Sequence, residues 1–204
     1  MASSWNDSCR ALTDAADWFI RTTALVGDRW DRPGLGEWDV RALVGHTSRS
    51  LLTVEAYMAR PATTADVETA ADYYRASRAI ASGPDVAERG RAAGVALGAD
   101  PAGAVAQIRD RVLPLVTGRD GTELVTTIAG GMRLADYLPT RTFELAVHTA
   151  DLATALDVPP DAPATSAAQA LDLVAQLAVA GGSAGLLLLA ATGRPGLPEG
   201  FSVL

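Results

Sequence analysis

Apolar residues recur along this chain at the three- and four-residue spacing of helix faces. Between residues 5 and 30 the stripe is Leu12, Ala15, Ala16, Phe19, Ile20 and Thr23, which predicts a first helix. DRPGLGEWD follows as a loop, marked by Pro33, Gly34 and Gly36. Asp39 then offers an N-cap for a second helix through VRALVGHTSRSLLTVEAYMAR to about Arg60. Pro61 and the Thr63-Thr64 pair end it, and ADVETAADYYRASRAIAS predicts a third helix that stops near Gly83-Pro84. Two further helical runs lie between Asp85 and Gly118, divided by GADPAG, where Asp100 and Pro101 supply a turn and a helix start.

GTELVTTIAGG has strand-like composition, but its paired glycines make it a connector. A long helix is expected from about Leu134 to Leu156, kinked or restarted by Pro139. After the connector DVPPDAP come two buried helices meeting near Gly181, and PGLPEGFSVL closes the chain as an extended tail. No internal repeat, heptad run or low-complexity linker divides the sequence. The pattern predicts an all-α fold in one domain, residues 1–204, built as a bundle with extra short helices.

Composition narrows the function classes. The 204 residues suffice for a full core, and 49% are hydrophobic while only 5% are aromatic. A net charge of −7 and a pI near 4.8 argue against binding to nucleic acid or to an anionic membrane. From Leu173 to Gly193 no residue is charged, a length that meets the criterion for a membrane span. Gly181-Gly182, Gly185 and Gln176 interrupt it and no basic cluster flanks it, so two buried helices are the expectation. The lone Cys9 has no disulfide partner and reads as a structural thiol. MASSWNDSCR lacks the plan of a secretory signal, which points to the cytoplasm. All seventeen basic residues are arginine, a bias that with the abundant alanine suggests a GC-rich actinobacterial genome.

The chemistry gathers in RTFELAVHTADL, residues 141–152. Positions i and i+4 share a helix face, so Glu144 and His148 project side by side, and Arg141 and Asp151 extend the polar row. The other of the chain's two histidines, His46, falls among Leu43, Val44 and Leu51. A histidine so placed is either a core residue or a ligand. Bundles build metal sites from facing helices, and two imidazoles with one carboxylate leave a divalent ion open positions, the pattern of catalytic sites. No nucleotide loop competes: GLGEWD lacks the third glycine and a preceding strand.

GLGEWDVRALVGHTSRSL, with a tryptophan, a capping residue and Leu-x-x-His, resembles the first-histidine helix of the mycothiol-dependent maleylpyruvate isomerase family, within the DinB and YfiT-like metalloenzymes. RTFELAVHTADLATAL resembles that family's second signature, Arg-x-x-Glu-x-x-x-His-x-x-Asp-Leu. The resemblance implies a four-helix bundle holding a divalent metal, zinc first and nickel or manganese as alternatives, on His46, Glu144 and His148. It also implies mycothiol as cosubstrate and a small electrophile as partner, in S-transfer or thiol-assisted isomerisation. The family's isomerase carries a further C-terminal domain that grips a dicarboxylate, and the present sequence stops at FSVL, so the expectation is thiol chemistry without commitment to maleylpyruvate.

Arg141 would pair with Glu144 or meet an anionic substrate, and Asp151 would fix the tautomer of His148. Trp38 and Tyr137 would line the thiol pocket. A noncatalytic metal-binding or ligand-sensing bundle is the alternative, and a metal-free interaction protein a third reading. Hydrophobic helices also leave room for a homo-oligomer.

Overall fold

Helices begin where something satisfies their first free N–H groups. In the computed structural model, which describes residues 4–81, 85–194 and 196–204, Ser4 caps α1 (Trp5–Ala24) by accepting from Asp7 N at 3.2 Å. The expected turn at Gly83-Pro84 lies outside the described residues. α1 stops short of the expected residue 30, because Leu25 closes it and Gly27 turns the chain at φ 62°. A two-strand turn, β1 (Pro33–Leu35) and β2 (Trp38–Asp39), then delivers Asp39 to cap α2 (Val40–Met58) through Ala42 N at 2.7 Å.

The third helix, α3 (Ala70–Ala81), starts later than the predicted Ala65. Residues before it pair with a hairpin instead: Ala62 N donates to Leu124 O and Asp66 N to Gly131 O. That hairpin, β3 (Leu124–Thr127) and β4 (Gly130–Arg133), replaces the expected connector. Its glycines are the reason it forms here, since a Cβ on Gly131 would lie 2.0 Å from Thr64 O. Glycine therefore lets a third stretch of backbone lie against β4.

α4 (Asp85–Ala96) and α5 (Pro101–Thr117) stand where the sequence predicts them, with Asp100 capping α5 through Gly103 N at 3.0 Å. α6 (Leu134–Ala155) is one continuous helix through Pro139. α7 (Ala164–Ala180) and α8 (Ala184–Ala191) meet at Gly181-Gly182.

α1, α2, α5 and α6 form a four-helix ring, each packed on two others. Leu12 and Phe19, Leu43 and Leu51, Val112, and Leu138, Leu145 and Leu152 fill its centre. Each such side chain contributes roughly 1.5–3 kcal/mol on burial. α4 lies on the outside of α2, where Gly45 faces Gly94 so closely that a Cβ on Gly45 would sit 2.1 Å from Gly94 N. α7 packs over α1 and α6 through Ala170, Leu173 and Leu177. The expectation of two buried C-terminal helices fails for the second: α8 has no buried residue, and Leu188 is 66% exposed. Among the described residues its main packing is on α7, and Leu186, Leu188 and Leu189 stay about half or more exposed. No described helix is long and apolar enough to cross a membrane.

Candidate metal centre

α6 presents Glu144 and His148 one turn apart, and α2 brings His46 across the bundle to meet them. One donor atom from each lies within 4.8 Å of the other two. Donors sharing an ion tetrahedrally at ~2.1 Å are about 3.4 Å apart, so closing on an ion draws the most distant pair together by up to about 1.4 Å, within the reach of side-chain rotation. The side chains of His148 and Glu144 are 16% and 20% exposed, which leaves the centre enclosed but reachable from solvent.

Each α6 donor has its outer side occupied. Tyr74 of α3 donates its hydroxyl to Glu144 Oε1 at 2.6 Å, while Glu144 Oε2 lies 3.3 Å from His148 Nε2. On the far side of the imidazole, Nδ1 lies 3.0 Å from Asp151 Oδ2. A proton on Nδ1 would leave Nε2 with its lone pair toward Glu144. His46 differs: its Nδ1 is buried without any hydrogen-bond partner among the described residues. An imidazole without a hydrogen-bonded partner on its buried nitrogen, and with a ring donor within 4.8 Å of a carboxylate and a second imidazole, is what a divalent ion's ligand set looks like without the ion. The residues fit the metal.

The charges of the metal-free centre follow from this wiring. Burial pushes Glu144 up, but the His148 hydrogen bond and the Arg141 charge outweigh it and hold the carboxyl at about 2. Burial likewise disfavours charge on His148, yet hydrogen bonds to Asp151 and Glu144 raise it to about 9. For His46, burial and then the His148 charge push the ring down to about 4. At neutral pH the metal-free centre therefore holds one anion, one imidazolium and one neutral imidazole.

Arg141 is 8% exposed and lies beneath the same helix face, with Nε donating to Thr140 Oγ1 at 2.9 Å. Its guanidinium sits over the rings of Tyr137 and Tyr73, at 5.0 and 5.5 Å. It acts on Glu144 through space and not through the direct pair that the i,i+3 spacing suggests. Tyr137 is fully buried and donates to Thr53 Oγ1 at 3.0 Å, so it backs Arg141 and not a solvent-facing pocket. Trp38 stands against the ring of His46, with centroids 4.4 Å apart.

Tyr74 is the contact that sequence reasoning missed. Burial first, and then the adjacent carboxylate, push its hydroxyl well above the usual range, so it stays a donor. The Tyr-Tyr pair in ADYYRAS was the available signal, because a hydroxyl placed on a helix beside the bundle needs a partner there.

Two surface clefts, of about 570 and 480 Å3, flank the β3–β4 hairpin and include none of the three donors. Compared with known proteins, residues 5–153 match a family described as the mycothiol maleylpyruvate isomerase N-terminal domain. That span includes every residue of the centre and excludes α7 and α8. No curated protein and no solved structure gives a match.

Proposed function

The chain belongs to the mycothiol maleylpyruvate isomerase N-terminal domain family, and from that premise we propose that it is a metal-dependent enzyme acting with a low-molecular-weight thiol, mycothiol, on a small electrophile. The observation that carries this reading is the convergence of His46, Glu144 and His148 in a partly open centre. Zinc suits two nitrogens and one carboxylate, with nickel and manganese as alternatives. When bound, the ion lowers the pKa of a contacting thiol from about 8.5 into the neutral range.

The chain's own residues do the rest. Asp151 holds the Nδ1 side of His148 and so keeps Nε2 turned to the ion's position. Tyr74 occupies Glu144 Oε1 and leaves Oε2 to ligate. Arg141 supplies a buried positive charge behind the carboxylate, which favours its ionised form and an anionic reactant nearby. A thiolate held there adds to an activated double bond, and rotation with elimination gives the isomer; displacement of a leaving group gives S-transfer. A reducing cytoplasm is the compartment such a cosubstrate requires.

The alternative reading is a noncatalytic metal-binding or ligand-sensing bundle, in which the three residues hold the ion and no thiol reacts. Purified protein assayed with mycothiol against maleylpyruvate and a panel of electrophiles, with and without metal, separates the two. Metal-dependent turnover, lost in Glu144→Ala and His46→Ala at unchanged helicity, is the expected result. A fully metal-loaded protein that neither binds nor consumes the thiol would favour the second reading.

A further inference from the structure

The two imidazoles of the centre are held in different ways. His148 has neighbours at both ring nitrogens, Asp151 at 3.0 Å and Glu144 at 3.3 Å. Among the described residues His46 has no hydrogen bond at its buried Nδ1, so no such neighbour fixes its ring plane from that side. An imidazole on a helix rotates broadly about its last side-chain torsion unless packing or hydrogen bonding stops it.

Packing stops it here. The indole of Trp38 lies over the ring with centroids 4.4 Å apart and planes tilted by 33°, while the His148 ring meets it edge-on at 4.8 Å. Trp38 is itself immobilised from behind. Its Nε1 donates to Ala87 O of α4 at 3.0 Å, and Gly90 of the same helix lies so close beneath that a Cβ there would be 2.6 Å from indole Cε2. α4 in turn is docked on α2 at the Gly45–Gly94 contact, on the helix that carries His46.

We infer that Trp38 is a positioning residue that sets the ring plane of His46 by stacking, in the place a hydrogen-bonded neighbour takes for His148, with α4 as its platform. The inference rests on the reading of His46 as a metal ligand. A ring already turned to the ion's position costs less to order on binding, so loss of the stack weakens metal affinity although Trp38 touches no ion.

Zinc titration against a competing chelator tests this, on wild type, Trp38→Leu, Trp38→Phe and Gly90→Ala, with helicity and thermal melting followed for each. Leucine keeps bulk without an aromatic face, and about a 10–100-fold weaker zinc affinity is expected. Phenylalanine restores the face without the Ala87 bond and recovers most of the loss. Gly90→Ala displaces the indole while leaving all three ligands intact, and falls between. In the metal-free protein, the His46 ring-proton resonances shift upfield in wild type and Trp38→Phe but not in Trp38→Leu, a readout independent of metal and of global stability. Wild-type affinity in a folded Trp38→Leu, or an unchanged His46 ring shift, overturns the inference and leaves the metal reading standing. A wild type that binds no zinc overturns both.

Discussion

Residues 5–153 and residues 154–204 use the same alanine- and leucine-rich vocabulary to opposite ends. In the first segment Leu12, Leu43, Leu51, Leu138, Leu145 and Leu152 are all fully enclosed. In the second, Leu173 and Leu177 are buried on α1 and α6, whereas Leu171, Val179 and Leu188 are 65%, 70% and 66% exposed. The segments differ in layering: every bundle helix packs extensively on two others, whereas among the described residues the one extensive packing of α8 is on α7. Burial follows from the number of layers around a helix, and apolar composition alone does not report it. The centre lies wholly within the layered part, where both of its helices are immobilised.

The contrast is most strongly challenged at Gly45. Gly45→Leu places a side chain where the backbone of α4 already lies, and is expected to cost about 3 kcal/mol or more, or to prevent cooperative folding. Urea unfolding measures it, and a variant as stable as wild type would mean that α4 does not pack as described. Next in size is the centre itself: His148→Ala is expected to weaken zinc binding by more than about 100-fold, beyond what loss of a ligand's hydrogen-bonded neighbour costs. Ser50→Ala, on the same α2 as His46, should keep the metal stoichiometry of wild type in elemental analysis.

Smaller again is the pH effect. In the metal-free fold His148 titrates at about 9, above its ordinary value of 6.5, so its protonated form stabilises the fold fully below 6.5 and that contribution disappears as pH rises through 9. An incoming ion competes with that proton, while His46, at about 4, is already neutral. Apparent affinity should rise about tenfold per pH unit from near neutrality to pH 9, with about one proton released per ion at pH 7. Calorimetry in two buffers of different ionisation enthalpy counts that proton, and zero release would contradict the assigned charge state. The smallest effect belongs to the exposed leucines: Leu188→Gln should change stability by no more than about 0.5 kcal/mol. A destabilisation of several times that size would show that a layer does cover α8 in solution.

What could be read from the sequence was what is local. Asp39, Asp100-Pro101 and the Glu144–His148 spacing act within a few residues, and the structure has each in the expected element. The meeting of His46 with the pair on α6 was legible only through the general habit of bundles and a family resemblance. Tyr74 was not legible, because its partner is 70 residues away and α3 lies outside the four-helix ring. The hairpin was hidden for a related reason: the glycines that look like breaks are there to admit the backbone of residues 62–67.

The continuity of α6 through Pro139 has a consequence for how the site assembles and fails. If Glu144 and His148 ligate as proposed, two donors one turn apart on a single rod form a bidentate clip whose spacing is set by α6 alone, with Tyr74 of α3 orienting one of them. On that reading His46 would behave as a tethered third ligand, its effective concentration at the clip set by how stiffly α2 is held. Warming that loosens α2 lowers this concentration before α6 unwinds, so the ion should begin to leak at a temperature below the loss of helix. The retained clip would recapture it on cooling without any need to refold the helix that bears it.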